Sequence, residues 1–156
     1  MKLKANQTAP NFKLDSTNGN IFELNKLKKK NIILYFYPKD DTPGCTKEAI
    51  EFSSFKKEFD KLDVNLIGVS KDNIQKHKKF IEKNNINFPL ASDINGSICD
   101  AFGVWIEKSM YGKKYMGIER STFLFDKNLC LLNSWRNVKV KGHVEDVFTF
   151  LTKSIL

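Results

Sequence analysis

Residues 31–45 read NIILYFYPKDDTPGC and join the end of an apolar segment to the start of an amphipathic one. Residues 31–37 are mainly β-branched or aromatic and carry no charge, which is typical of a strand buried on both faces. Apolar residues then recur at helical spacing up to Phe59, with Lys and Glu between them. The order predicts a buried strand, a short loop and an amphipathic helix over 43–59.

The start of that helix places one cysteine among unpaired backbone donors. Thr42 is a favourable N-cap, and Pro43 falls at the first helical position, where its missing N–H costs nothing. Cys45 is then the third helical residue, and we expect the Thr42 hydroxyl to accept its backbone N–H. Free N–H groups and the positive end of the helix dipole favour a thiolate. The sequence therefore predicts a reactive cysteine at position 45.

The composition is that of an ordinary soluble protein, with 41% hydrophobic and 28% charged residues among 156. We expect one domain over residues 1–156. The first residues lack an apolar signal segment, and no apolar run approaches the roughly 20 residues that span a membrane, so we expect a cytoplasmic protein without membrane contact. Three cysteines argue against a disulfide framework, and with only two histidines no metal-site spacing appears.

The net charge of +8 suggests a nucleic-acid partner, but the type of basic residue does not. Of 26 basic residues only Arg120 and Arg136 are arginine, whose planar fork suits phosphate and base recognition. The chain shows no helix-turn-helix, zinc-finger or RNA-binding signature. We therefore expect no nucleic-acid partner.

The rest of the chain alternates between strand and helix patterns. The predicted elements are a hairpin of strands 9–14 and 21–24, a strand at 64–69, a helix at 73–84 capped by Asp72, an extended segment at 88–93, a short helix at 96–102, a hairpin over 121–135 and a helix at 143–154. This order predicts an α/β protein with a thioredoxin-like, three-layer α/β/α fold, a mixed central sheet and an N-terminal β-hairpin.

The sequence around Cys45 resembles the active-site signature of the peroxiredoxins. Pro38, Thr42 and Cys45 have the spacing of that signature, and the segment is similar to the bacterioferritin-comigratory, or Q-type, branch. Further similar segments lie at 88–93, 102–105 and 117–123, so the resemblance covers nearly the whole chain. It implies a thiol peroxidase that reduces hydrogen peroxide and organic hydroperoxides, is regenerated by thioredoxin or a similar thiol donor, and needs no cofactor or metal.

The resemblance also implies a role for each matching residue. Cys45 would attack the peroxide and become a sulfenic acid, Thr42 would hold the peroxide, Pro38 would shield the pocket, and Arg120 would supply a positive charge. Ionisation alone gains little, because a thiol of pKa about 8.5 is already about 3% ionised at pH 7. Positioned donors must therefore supply most of the acceleration. Glu48, one helical turn beyond Cys45, is expected to pair with a cation such as Arg120.

The fate of the sulfenic acid is left open by the sequence. Many Q-type relatives have a second cysteine five residues after the first, where this chain has Ile50. One alternative is a disulfide between Cys45 and Cys99 after a helix unwinds. The other is a one-cysteine mechanism, in which an external thiol attacks the sulfenate. Cys130 lies in an apolar segment and is expected in the core.

Other functions fit the sequence less well. A thioredoxin-type reductase needs Cys-x-x-Cys, but Cys45 is followed by residues 46–48, Thr-Lys-Glu, and a cysteine phosphatase needs an arginine where Glu51 stands. A glutathione peroxidase is the nearest enzymatic rival, although Thr42 and Arg120 favour a peroxiredoxin. A redox-sensing or chaperone-like protein is the non-enzymatic alternative. We expect hydroperoxides and a thiol reductant as partners, and a monomer, with a weak dimer as the alternative.

Overall fold

The computed structural model describes residues 3–27 and 29–155 of the chain, so Met1, Lys2 and Leu156 of the predicted domain 1–156, and Lys28, lie outside the described residues. The strands are β1 (Lys13–Ser16), β2 (Ile21–Glu23), β3 (Asn31–Phe36), β4 (Val64–Ser70), β5 (Leu90–Ser92), β6 (Trp105–Met110), β7 (Lys113–Ile118), β8 (Ser121–Phe125) and β9 (Leu131–Trp135). The helices are α1 (Pro43–Ser54), α2 (Lys56–Lys61), α3 (Ile74–Asn84), α4 (Ser97–Ala101) and α5 (His143–Ile155). Within the described ranges, no helix is both long and apolar enough to cross a membrane.

Seven strands form one mixed sheet in the order β2-β1-β5-β4-β3-β8-β9. Strands β3, β4 and β5 are parallel, and β8 runs antiparallel to β3. Every residue of β3 is buried, which explains its uncharged sequence. In the β3–β8 register Phe36 lies opposite Ser121, so the C-terminal end of β3 lies beside the N-terminal end of β8. This register brings Arg120, next to Ser121, beside the loop that leads into α1.

Alternating side chains of β3 divide the core into two clusters on opposite faces of the sheet. Ile33 and Tyr35 belong to a cluster with the buried residues of α1, α2, α3 and α5. Leu34 and Phe36 belong to a second cluster, which the N-terminal segment, α4 and the start of β6 cover. The predicted layered α/β fold is therefore confirmed, with most of its helices on one face.

The predicted helix over 43–59 consists of two helices. Helix α1 ends at Ser54, and Phe55 serves both as its C-cap and as the N-cap of α2. The Ser54 hydroxyl donates to the carbonyl oxygen of Glu51 at 2.6 Å. A serine that bonds to the backbone in this way competes with the helical hydrogen-bond pattern, and it stands at the residue where α1 ends.

Asp72 does not cap α3, contrary to the sequence-based expectation. The N-cap is Asn73, whose side chain accepts the backbone N–H of Lys76 at 2.9 Å. Asp72 instead accepts the backbone N–H of Asp40 at 2.8 Å and the hydroxyl of Ser70 at 2.8 Å. Its carboxylate therefore holds the loop before α1 through Oδ2, and through Oδ1 it pairs with the side chain of Lys76 in α3 at 3.1 Å.

The first hairpin forms as predicted, but its first strand begins at Lys13 instead of residue 9. The preceding segment pairs elsewhere, because Thr8 forms an isolated bridge with Cys130 and the Ala9 N–H bonds to Leu129. Cys130 is half-buried there, so the expectation that it lies in the core is wrong. It precedes β9 at a chain reversal, where its side chain is only partly covered.

Sequence analysis missed the β6–β7 hairpin, which pairs from Trp105–Ile118 to Met110–Lys113 and stands apart from the main sheet. Its two turn residues, Tyr111 and Gly112, both have positive φ, as tight hairpin turns require. The lysine-rich strands lack the apolar alternation of a half-buried strand, because much of the hairpin is exposed. The tyrosine–glycine pair was the signal available in the sequence.

We predict that Phe52→Ala lowers the free energy of unfolding by about 3–5 kcal/mol. The Phe52 ring is fully buried and stacks on Tyr35 with centroids 4.5 Å apart, so its loss leaves a cavity at the centre of the core. Urea unfolding measures the change. Ile50→Ala on the same helix, at an exposed position, is the control and should cost less than about 1 kcal/mol. Similar losses from the two variants would contradict this packing.

Candidate active site

Thr42 is the N-cap of α1 by its backbone conformation, but its side chain does not cap the helix. The hydroxyl donates instead to the carbonyl oxygen of Lys39 at 2.8 Å, so the predicted contact with the Cys45 N–H is wrong. Hydroxyl groups readily close such local loops. Since the first N–H groups of a helix have no intrahelical acceptor, the N–H of Cys45 stays available beside the sulfur.

Cys45 lies at the buried start of α1 and contacts a guanidinium from a distant part of the chain. Its side chain is nearly inaccessible, and Arg120 Nη2 donates to its Sγ at 3.3 Å. Arg120 reaches this place because the β3–β8 register puts the start of β8 against the end of β3. The sheet thus places a fixed positive charge next to the sulfur.

The same guanidinium is held from its other side by Glu48. Arg120 Nη1 donates to Glu48 Oε1 at 2.8 Å, the ion pair that the sequence led us to expect. Burial raises the pKa of Glu48 to about 7, although Arg120 opposes the rise. Burial also disfavours the charge on Arg120, but the negative charges of Glu48 and Cys45 outweigh it and raise the pKa of Arg120. The guanidinium therefore stays charged while it bridges a carboxylate and a sulfur.

Gly44 permits this close approach and was missed by sequence reasoning. A Cβ atom at this position would lie 3.2 Å from Arg120 Nη2. Glycine inside a helix costs up to about 1 kcal/mol relative to alanine, so a glycine in the first turn is a sequence signal for close packing. Here the packed group is the guanidinium itself.

A buried polar network anchors the loop between β3 and α1. The Asp40 carboxylate accepts the Tyr37 hydroxyl at 2.6 Å and lies 2.6 Å from His77 Nδ1. His77 Nε2 lies 3.0 Å from the carbonyl oxygen of Ala91, which only accepts, so this nitrogen carries a proton. Asp40 and His77 are fully buried or nearly so. The network ties the loop to α3 and β5, and its sequence signal was an aspartate three residues after the uncharged segment 31–37.

Asp40, Asp72 and His77 also bring potential metal-ligand atoms within 4.8 Å of one another. Each of the three side chains already has hydrogen-bond partners, among them Tyr37 and Ser70. This donor set therefore fits an internal anchor better than a cation site.

A cleft of about 380 Å³ opens beside Arg120. Its lining includes Pro38 from the loop before α1, Ile106 and Lys108 from the β6–β7 hairpin, and Val138. Of the four residues singled out in the sequence, Pro38 and Arg120 line this cleft, Cys45 lies next to it through its contact with Arg120, and Thr42 is not among the lining residues. The contribution of the hairpin was not predicted, since the hairpin itself was missed.

Cys99 does not join this site. It is fully buried in the cluster on the opposite face of the sheet from the cluster that contains Cys45. Burial, followed by a hydrogen bond to Asp93, raises the pKa of the Cys99 thiol well above its usual range. A protonated thiol behind the central sheet is poorly placed to attack Cys45, so this arrangement does not support the alternative of a Cys45–Cys99 disulfide.

We predict that Glu48→Gln becomes increasingly stable relative to the native protein between about pH 5 and about pH 8. The folded protein raises the pKa of Glu48 from 4.5 to about 7, so between these values it binds a proton that the unfolded chain has lost. Its contribution to the free energy of unfolding therefore falls as the pH rises through that window. Glutamine does not titrate and removes this fall.

Urea unfolding of both proteins at several pH values measures the difference. Glu82→Gln, at an exposed position of α3, is the matched control and should track the native protein. A difference between Glu48→Gln and native protein that does not change with pH would contradict the assignment.

Comparisons with known proteins identify the family of this chain. Residues 5–132 match the AhpC/TSA family. Peroxiredoxin Bcp of Bacillus subtilis is 48% identical over 151 residues, which cover 97% of this chain and 96% of that protein. Peroxiredoxin Bcp of Escherichia coli is 38% identical over 149 residues and covers 96% of each.

Solved structures give the same result. A mutant of Xylella fastidiosa PrxQ has a TM-score of 0.93 at 35% identity and covers 99% of this chain and 98% of its own. The Xanthomonas campestris bacterioferritin comigratory protein, studied for its alkyl peroxide reduction, has a TM-score of 0.88 at 40% identity and covers 93% of this chain and 92% of its own. The predicted resemblance and the thioredoxin-like fold are confirmed: the chain belongs to the AhpC/TSA family and, within it, to the peroxiredoxins of the Bcp, or Q, branch.

Proposed function

We propose that this peroxiredoxin reduces hydrogen peroxide and organic hydroperoxides with Cys45 as its nucleophile. The observation that carries this proposal is the 3.3 Å contact between Arg120 Nη2 and Cys45 Sγ beside a cleft of about 380 Å³. The alkyl peroxide reduction of the X. campestris relative supports the same chemistry here.

In the first step, the Cys45 thiolate attacks the terminal oxygen of the hydroperoxide. An S–O bond forms, the O–O bond breaks, and the leaving alkoxide takes up a proton, so that the cysteine becomes a sulfenic acid. Negative charge moves from sulfur to the leaving oxygen during this step. Arg120 and the free N–H groups of the first helical turn are rigid donors that can follow this charge without reorganisation.

Thr42 and Pro38 complete the proposed site. The Thr42 hydroxyl hydrogen is committed to the Lys39 carbonyl, so its oxygen is left as an acceptor for the O–H of a hydroperoxide. Pro38 lines the cleft next to Arg120, where its ring excludes water from the reacting atoms. No cofactor or metal is needed for these steps.

In the second step, we propose that an external thiol attacks the Cys45 sulfenate and expels water. This one-cysteine route is supported by Ile50 at the position of the local resolving cysteine and by the location of Cys99 behind the sheet. A second thiol of the reductant then attacks the mixed disulfide. This step releases Cys45 as a thiolate and leaves the reductant oxidised to an internal disulfide. Thioredoxin or a similar dithiol fits this stoichiometry.

We also propose a cellular location, a domain extent and an oligomeric state for this protein. A cytoplasmic location is supported by the three free cysteines, which suit a reducing compartment. Function as one domain over 1–156 is supported by relatives that align over nearly their whole length. We keep the monomer as the proposed state, and sedimentation at increasing concentration would reveal a weak dimer.

We predict that Cys45→Ser abolishes peroxide consumption coupled to thioredoxin and its reductase, whereas Cys99→Ser and Cys130→Ser stay within about threefold of the native rate. Serine cannot act as a thiolate, and the other two cysteines are not used in a one-cysteine route. Peptide mapping after one equivalent of peroxide should find the oxidation at Cys45. A Cys99→Ser protein that is oxidised normally but not turned over would instead make Cys99 the resolving residue.

We predict that Gly44→Ala slows oxidation of Cys45 by about tenfold or more, the usual effect of losing a hydrogen bond to a charged group. The added methyl group would crowd Arg120 Nη2 and move the guanidinium away from the sulfur without removing its charge. Stopped-flow measurement of single-turnover oxidation gives the rate.

The control for this prediction is the free energy of unfolding, which should not fall, because alanine favours a helix over glycine. Ile50→Ala on the exposed side of α1 should oxidise at the native rate. Native kinetics in Gly44→Ala would show that the position of the guanidinium does not limit the reaction.

A further inference from the structure

Lys108, on the β6–β7 hairpin, is the charged residue of the cleft that lacks a carboxylate partner. Two other charged residues line the cleft, Arg120 and Glu119. Arg120 pairs with Glu48 at 2.8 Å, and Glu119 pairs with Arg136 at 3.2 Å. Across residues 3–27 and 29–155, Lys108 has no carboxylate oxygen within 4.0 Å of its ammonium group.

The position of Lys108 is well defined although its charge is unpaired. Its aliphatic stem packs on the neighbouring strand β7, where a Cβ on Gly117 would lie 3.2 Å from Lys108 Cδ. Lys108 pairs across the hairpin with Tyr115, and both residues line the cleft. The lysine is half-buried, unlike the exposed Lys113 and Lys114 of the same hairpin.

The surroundings make this ammonium group receptive to an anion. Burial, followed by the positive charge of Arg120, lowers the pKa of Lys108, although Cys45 and Glu119 oppose the shift. A negative group in the cleft would offset both effects. The apolar part of the lining, from Ile106 and Val138, suits the hydrocarbon portion of the same molecule.

We propose that Lys108 forms an anion subsite beside the peroxide pocket and favours organic hydroperoxides that carry a carboxylate group. The proposal rests on the proposed function of Cys45, because Lys108 would bind the far end of a substrate whose peroxide group faces Arg120. Lys108 is a specificity-determining residue in this scheme and takes no part in the O–O cleavage.

Two probes that differ only in charge test this subsite. They are 4-(2-hydroperoxypropan-2-yl)benzoate and its methyl ester. The measurement is single-turnover oxidation of reduced protein with no reductant present, so that reductant docking does not contribute. We expect Lys108→Met to slow the reaction of the carboxylate probe by about tenfold and that of the ester by less than about twofold.

The matched control is Lys114→Met, which removes the same charge from the same hairpin at an exposed position outside the cleft. It should react with both probes at the native rate. Equal losses on the two probes in Lys108→Met would mean that Lys108 acts only through the field at Cys45, and would overturn the proposal. The absence of any loss would overturn it as well.

Binding of 4-isopropylbenzoate, which has no peroxide group, separates this proposal from the proposed function. Calorimetry should show binding to the native protein and to Lys114→Met, and binding about tenfold weaker to Lys108→Met. If no probe oxidises Cys45, the peroxidase proposal fails, while calorimetry still decides the subsite. Equal affinity of the three proteins would overturn the subsite even in an active peroxidase.

Discussion

The bridging of Cys45 and Glu48 by one guanidinium is the interaction on which the site depends. Arg120 joins the first turn of α1 to the start of β8, and it reaches α1 only because Phe36 lies opposite Ser121 in the sheet. A shift of one residue in that register would turn the side chains of β8 to the other face. The register of the central sheet therefore sets the position of the Arg120 guanidinium relative to Cys45.

The buried charges of Glu48 and Arg120 stabilise each other. Glu48 is fully buried, and Oε2, the oxygen that Arg120 does not contact, has no hydrogen-bond partner among the described residues, so its carboxylate is costly to ionise. Arg120 offsets part of that cost and keeps its own charge near the sulfur. Because Gly44 has no side chain, no Cβ atom crowds Arg120 Nη2 beside the sulfur. A residue that lowers helix propensity is thus explained by the packing of a charged group.

The site is held on one side by a buried network and bounded on the other by an exposed hairpin. Asp40 and His77 tie the loop before α1 to the core, which fixes the helix start. Strands β6 and β7 stand apart from the main sheet, and Lys108 lies among their cleft-lining residues. This division anchors the helix start, where we propose that the peroxide reacts, and leaves the outer wall free to differ in substrate preference. The sheet also keeps Cys99 away from Cys45, which is consistent with an external thiol as the reductant.

The sequence by itself determined the central strand and the helix start at Pro43, because these follow from local patterns of burial and backbone capping, and it indicated Cys45 as the proposed nucleophile. The sequence also indicated Arg120, because arginine is scarce in this chain and because its position matches the peroxiredoxin pattern. Only the tertiary structure decided that the Thr42 hydroxyl bonds to Lys39, that Cys99 lies behind the sheet, and that the β6–β7 hairpin lines the cleft. The first of these contacts is local, and the conformation of the loop before α1 decided it. The other two depend on strand register and on the packing of segments that are far apart in the chain, which local residue patterns do not determine.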